Sequence, residues 1–429
     1  MNDTIFALAT AQGRAGVAVI RISGPDAAKV ASRLCGTLSE PRRAMMRSLR
    51  DAEGVLLDDA LTLWFPGPAS FTGEDVVEFQ THGSIAVVRA VLDALAATPD
   101  ARLAEPGEFT RRALTNGRLD LSQVEGLAAL IDAETEAQRV QAQRVLSGAI
   151  GERVERWRQQ LVRAAALIEA TIDFADEDVP VDVTPEVNSL LEDVHRDISD
   201  EIKGSYVAER IRTGFEVALV GPPNAGKSTL LNRLAGREAA ITSEVAGTTR
   251  DVIEVRMDLD GLPVTILDTA GLRDSDDRIE NIGISKALDR AQEADIRVFL
   301  VESGEELPLK PQSHDILLRP KVDVAGSGSP GVSGKTGQGI PELIERLKAT
   351  LADKASGAGI ATHERHRRAM KDASFGLEKV QTLITNGPDM YDIAADELRR
   401  AIRCLEMLVG RVDVENLLDE IFASFCLGK

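Results

Sequence analysis

The stretch Phe215–Ala235, FEVALVGPPNAGKSTLLNRLA, restricts what this chain can fold into more than any other. Phe215 to Val220 is a short apolar run of strand type, and Gly221 to Ser228 fits the pattern G-x-x-x-x-G-K-[ST]. Leu230, Leu231 and Leu234 then follow at helical spacing. A strand, a glycine-bounded loop and a helix in that order make a phosphate cradle. The glycines let backbone N–H groups turn inward, and the helix N-terminus adds partial positive charge. Lys227 is expected to reach the β- and γ-phosphates and Ser228 to hold magnesium, with Asn224, Ala225, Gly226 and Thr229 lining the same nucleotide site.

Downstream motifs narrow the nucleotide. Pro263 to Leu267 reads as a strand ending in Asp268-Thr269-Ala270-Gly271. A carboxylate at such a strand end binds magnesium through water, and the Gly271 N–H meets a γ-phosphate. The polar connection Ser243-Glu244-Val245-Ala246-Gly247-Thr248-Thr249 supplies a threonine, Thr249, expected to close over magnesium when the γ-phosphate is present. Together these form a guanine-nucleotide signature. The base-reading motif is usually Asn-Lys-x-Asp, but here it is Pro320-Lys321-Val322-Asp323. Asp323 can still accept from the guanine N1–H and exocyclic amine, a donor pair that adenine lacks. Proline donates nothing, so guanine selectivity with weakened affinity is expected. Ser333-Gly334-Lys335 resembles the Ser-Ala-Lys loop that closes on the guanine carbonyl, with glycine where alanine is usual. Leu272 stands where Ras-like enzymes place a water-orienting glutamine. The chain therefore needs another water-positioning group, another source of positive charge, or both.

With 429 residues, roughly three domains are expected. Residues 1–118 read as mixed α/β, with strands near 16–22, 60–65 and 75–79 and helices near 25–34 and 85–97. Residues 119–212 read as helical: Val154, Trp157, Leu161, Ala165, Ile168 and Ile172 share one face, as do Val187, Leu190, Leu191, Val194, Ile198 and Ile202. The nucleotide domain spans 213–355, Ala355 to Gly359 reads as a linker, and helical pattern resumes over 356–429. The fold class expected is thus multidomain α/β plus α, with the P-loop domain inserted in a helical domain. A net charge of −19 argues against broad non-specific nucleic-acid binding, and no DNA partner is expected. Cys35, Cys404 and Cys426 form neither a disulfide framework nor a metal pattern. With no apolar run of about 18 residues and no signal-peptide pattern, a cytoplasmic protein without membrane contact is expected. His82 reads as structural. His363 to Arg368 reads as a solvated basic face and a candidate RNA-facing patch.

Nearly the whole chain resembles the MnmE (TrmE) family of tRNA-modification GTPases, within the TrmE-Era-EngA-like superfamily. The resemblance rests on Asp3-Thr4-Ile5-Phe6-Ala7-Leu8-Ala9-Thr10, Arg21-Ile22-Ser23-Gly24-Pro25, Phe71-Thr72-Gly73-Glu74-Asp75, Pro106-Gly107-Glu108-Phe109-Thr110, Asn116-Gly117-Arg118-Leu119-Asp120-Leu121, the GTPase motifs, and Phe425-Cys426-Leu427-Gly428-Lys429. It implies an N-terminal α/β domain that dimerises and binds 5-formyl-tetrahydrofolate or a related one-carbon folate through Arg21, Glu78, Arg118 and Lys429. The family often has lysine at position 118. It implies a Ras-like GTPase domain inserted in the helical domain. It also implies potassium in place of an arginine finger, held by Asn224 and by carbonyls near Ser243, Val245 and Thr248. Glu280 matches the residue that orients the attacking water, and Cys426 the C-terminal cysteine near the folate. The implied setting is a homodimer joined with an MnmG (GidA)-type FAD protein in a heterotetramer. It would add an aminomethyl or carboxymethylaminomethyl group to carbon 5 of the wobble uridine of certain tRNAs. The competing reading is a ribosome-associated switch GTPase. A third is a relative that binds folate and partner but hydrolyses GTP poorly.

Overall fold

The computed structural model describes residues 3–38, 40–173, 182–236, 253–268, 288–302, 304, 307, 309–325, 330–412, 422, 425 and 428. Contacts gather into two compact units, Met1–Ala128 with Glu406–Lys429, and Ala129–Leu405.

In the first unit, alternation along the strands separates two faces of one sheet. The strands are β1 (Thr4–Leu8), β2 (Ala15–Ser23), β3 (Met45–Arg50), β4 (Leu56–Phe65), β5 (Val76–Gly83) and β6 (Ala101–Leu103). They run in the order β3-β4-β5-β2-β1-β6, antiparallel except for the β1–β6 pair. One face buries Phe6, Ile20, Ile22, Val77 and Phe79 with residues of α1 (Ala27–Cys35) and α2 (Ile85–Ala96). The opposite face buries Ile5 and Ala7 with Phe109 of α3 (Glu108–Thr115). Register places Ser23 opposite Ile5, and Arg21 opposite both Ala7 and Glu78, so Arg21, Ser23 and Glu78 belong to this second face. Phe422 and Phe425 cluster with Val124 of α4 (Leu121–Ile131). Strands β1, β3 and β6 are additions to the sequence-based expectation. Among the residues of β3 only Leu49 is fully buried, as suits an edge strand, and β6 is three residues long. Neither carries the apolar alternation that marks a central strand.

In the second unit the predicted helix faces are buried as a stripe. Helix α6 (Ala149–Asp173) buries Val154, Trp157, Leu161, Ala165 and Ile168. Helix α7 (Thr184–Thr213) buries Val187, Leu191, Val194 and Ile198. Helix α5 (Glu136–Leu146) opens on a capping box between Thr135 and Gln138. Helix α7 packs against α5, α6 and the helix Glu364–Thr385. Between α7 and Glu364–Thr385 in the chain lies a second six-stranded sheet, ordered β12-β11-β10-β7-β9-β8. Its strands are β7 (Phe215–Val220), β8 (Ile253–Leu259), β9 (Leu262–Asp268), β10 (Ile296–Leu300), β11 (Ile316–Pro320) and β12 (Gly331–Val332). All pairs are parallel except β8–β9. Strand β7 lies between β10 and β9 and is buried on both faces, as parallel sheets require. The architecture is α/β plus helical.

Two expectations are corrected. The segment read as a linker is a tight crossing. A Cβ on Gly204 of α7 would lie 2.7 Å from the Gly359 nitrogen, and one on Gly359 would lie 2.4 Å from Glu201 Oε1. Glu201, 4% exposed, accepts from the N–H groups of Ile360 (2.6 Å) and Ala361 (2.8 Å) and pairs with Arg153. Gly359 serves close approach, whereas Gly357 stands at φ 79° with open space at its Cβ position. The basic stretch at 363–368 is not a uniformly solvated face. His366 is fully buried, and Arg367 stacks 4.4 Å over the Tyr206 ring while pairing with Glu209. Three arginines against one glutamate read as a solvated face, but charge count carries no information about which side of the helix is covered.

Candidate functional site

The phosphate loop leaves β7 at Val220 and enters α8 (Lys227–Ala235). Gly221 passes so near β10 that a Cβ would lie 2.4 Å from the Leu300 carbonyl oxygen. Asn224 sits exposed at φ 63°, a left-handed conformation that asparagine tolerates better than most side chains. Gly226 follows at φ 96° as the residue before the helix. Lys227 is 4% exposed, and its ammonium donates to the carbonyls of Gly221 (2.7 Å) and Pro222 (3.0 Å). Burial pulls the Lys227 pKa below its ordinary value, and the Asp268 carboxylate opposes that shift. Asp268, 3% exposed, closes β9 opposite Leu219 of β7. Ser228 is half-buried in the first turn of α8.

A cavity of about 270 Å³ opens beside this loop. Its lining joins Ala225, Gly226 and Thr229 of the phosphate loop and α8 to Pro320, Lys321 and Asp323 and to Ser333, Gly334 and Lys335. The neighbouring stretches 320–323 and 333–335 thus meet the phosphate loop, which lies far earlier in the chain, around one space, because parallel order puts β7, β10, β11 and β12 side by side with their C-terminal ends on one edge. Leu230, Leu300 and Val332 give the cavity an apolar floor. Pro320 pairs with Val332 at the end of β11, two residues beyond the last β10–β11 pair, Leu300 with Leu318, so its missing N–H falls past that ladder. Lys321 next to it has φ 53°, a strained conformation for lysine and one that concentrates at binding sites. Val322, 9% exposed, lies against Gly331. Gly334 lies against α8: a Cβ there would stand 2.7 Å from the Leu230 nitrogen. That contact explains glycine where the usual loop has alanine.

The expected nucleotide residues Ser243, Glu244, Val245, Ala246, Gly247, Thr248, Thr249, Thr269, Ala270 and Gly271, with Leu272 and Glu280, lie outside the described residues. So do Cys426 and Lys429.

In the first unit, Arg21 and Glu78 form a pair across β2 and β5, with Arg21 Nε donating to Glu78 Oε1 at 2.9 Å. The Arg21 guanidinium lies over two rings, 5.4 Å from Phe71 and 5.8 Å from Phe109, and Nη1 reaches the Gly428 carbonyl at 3.5 Å. Gly428 fits because it is glycine: a Cβ would lie 2.0 Å from the Leu8 carbonyl oxygen. The structure thus brings Gly428 to the Arg21–Glu78 pair. Arg118 is exposed and, with Asn116, lies against Gly73 of the loop that carries Phe71. Sequence alone assigns no role to Phe71, Thr72, Glu74 and Phe109, which lie in the motifs that carry the resemblance, nor to Arg112, which lies outside them. One signal was legible, since Phe109, Arg112 and Ala113 share a face of α3 and all three are buried.

Comparison with known proteins decides the family. A profile described as MnmE helical domain matches residues 121–426, and one described as GTP-binding protein TrmE N-terminus matches 4–118. A tRNA modification GTPase MnmE of Roseobacter denitrificans is 68% identical over 427 residues, covering 100% of both chains. Those of Ruegeria pomeroyi and Parvibaculum lavamentivorans are 62% and 49% identical, again over 100% of both chains. The chain belongs to the MnmE family. The cavity at 225–335 falls within the span matched by the MnmE helical-domain profile, and the Arg21–Glu78 pair within that matched by the TrmE N-terminus profile. Among the described residues no helix is long and apolar enough to cross a membrane.

Proposed function

We propose that this chain is a cytoplasmic GTPase acting in tRNA modification, activated by potassium, which with an MnmG-type flavoprotein adds a (carboxymethyl)aminomethyl group to carbon 5 of a wobble uridine. The observation that carries the nucleotide half is the shared cavity of Ala225, Gly226, Thr229, Lys321, Asp323, Ser333 and Lys335. The family membership and the relatives' names support the tRNA half. GTP phosphates would take over the Lys227 ammonium from the Gly221 and Pro222 carbonyls it now meets. Ser228 and, through water, Asp268 would hold magnesium, with Thr249 closing over it. Both described groups suit that hard cation, being oxygen donors near the lysine. Potassium would be held by Asn224, with Ser243, Val245 and Thr248, and supplies positive charge between the β- and γ-phosphates. Asn224 is exposed at the loop apex, where a cation can reach it. Glu280 would orient the water that Leu272 cannot.

In the first unit a one-carbon folate would meet Glu78, Arg21, Arg118 and Lys429, with Cys426 nearby. A half-buried carboxylate beside an arginine and two phenylalanine rings suits a flat heterocycle bearing N–H donors. The same domain would form the homodimer. The test is GTP hydrolysis by the full chain in potassium against sodium at equal ionic strength, with 5-formyl-tetrahydrofolate binding measured alongside. Potassium activation together with folate binding is the expected result. Equal slow hydrolysis in both salts without folate binding would favour a simple switch GTPase.

A further inference from the structure

We propose that Arg112 positions the folate site, acting through the two segments that wall Arg21; this rests on the folate reading above. Arg112 is 1% exposed. Its Nη2 donates to Glu108 Oε1 at 2.8 Å and Asp3 Oδ1 at 3.0 Å. Its Nη1 donates to the Asp3 carbonyl at 2.8 Å and to Glu74 Oε2 at 3.2 Å. Each partner belongs to a different segment. Asp3 leads into β1, Glu74 lies in the loop that carries Phe71, and Glu108 opens the helix that carries Phe109. Glu74 Oε2 also accepts from Ser23 Oγ at 2.9 Å, and the Ser23 and Thr72 hydroxyls lie 2.7 Å apart. Ser23 follows Arg21 by two residues on the same face of β2.

One guanidinium therefore ties the loop at 71–74, the start of β1 and helix α3 to the sheet face that bears Arg21 and Glu78. Phe71 and Phe109 owe their places around Arg21 to those ties. The planar fork is needed because it serves three carboxylates in fixed directions, and a lysine ammonium is a single point donor of different reach. Among the described contacts Arg112 bonds neither Arg21 nor Glu78, so its influence is indirect.

The test is titration of the full chain with 5-formyl-tetrahydrofolate for wild type, Arg112→Lys and Thr72→Val, with GDP affinity as the control in the second unit. Loss of a buried bond converts to a folate Kd raised about 10- to 100-fold in both variants, with GDP affinity unchanged. Hydrogen exchange in the peptide spanning 70–75 should rise in both. A purely structural role would lower the melting temperature yet leave folate affinity intact below the melt, and that result overturns the proposal. If Arg112→Lys does not fold, Thr72→Val, which removes one hydroxyl, decides. Wild type that binds GDP but no folate would sink the folate reading and this positioning role with it. Wild type that binds folate as tightly as both variants sinks the positioning role alone.

Discussion

Replacing Gly334 with alanine tests the base site at one atom. The new Cβ would stand 2.7 Å from the Leu230 nitrogen, 2.8 Å from the Thr229 carbonyl carbon and 3.0 Å from the Leu230 Cα. Ordinary contact begins near 3.4 Å, so the space is short by roughly 0.7 Å against helix backbone that has no rotamer to change. Overpacking of this kind costs about 1–3 kcal/mol. Strain kept in the folded protein shows as lost stability. Strain relieved by moving Ser333–Lys335 away from α8 shows as lost nucleotide affinity, because that loop lines the base cavity. At about 1.4 kcal/mol per decade, the whole cost on the loop would raise the GDP Kd by roughly 5- to 150-fold. A fluorescent GDP analogue gives the Kd, and thermal melting gives the remainder. Gly16→Ala is the control, since nothing lies within 4 Å of its Cβ. A Gly334→Ala protein that matches wild type in both affinity and melting would refute the packing argument.

Three further outcomes are expected. Glu201→Ala leaves Arg153 and the Ile360 and Ala361 N–H groups without their acceptor, and should cost about 3–5 kcal/mol; a shift in denaturation free energy under 1 kcal/mol would contradict the burial argument. Burial works to raise the carboxyl pKa of Glu108, but Arg102, the Glu105 N–H and Arg112 hold it below its ordinary 4.5, and Asp3 is likewise lowered against burial by Arg102. These depressed carboxylates stabilise the first unit above their unfolded pKa values, and the stability is lost as pH falls through the folded ones; melting followed from pH 6 down to pH 3 should drop only below about pH 4.5, and a decline already complete at pH 5 would be inconsistent with these groups. Glu280→Ala should bind GTP as wild type does and hydrolyse it about 100-fold more slowly if it orients the water, whereas equal single-turnover rates would remove it from the mechanism.

The phosphate loop was legible in sequence because it is local: strand, glycines, lysine and helix follow one another within Phe215–Ala235, and their chemistry depends on backbone turns that those residues dictate. The long helix faces were legible for the same reason, since periodicity is a property of neighbours. Edge strand β3 was not, because only its partner β4 makes it a strand. Nor was the burial of His366 or Arg112, because a histidine or arginine in a basic run looks solvated until the packing around it is known. The sequence by itself determined which nucleotide-binding motifs this protein carries, their order, and the α/β-plus-helical class. Only the tertiary structure decided that the stretches 320–323 and 333–335 share one cavity with the distant phosphate loop, that Gly334 is glycine because α8 leaves no room, that Gly359 is a crossing point, and that Arg112 ties three segments to the face bearing Arg21. These are contacts between residues far apart in the chain, fixed by sheet order and close packing, and no local pattern encodes them.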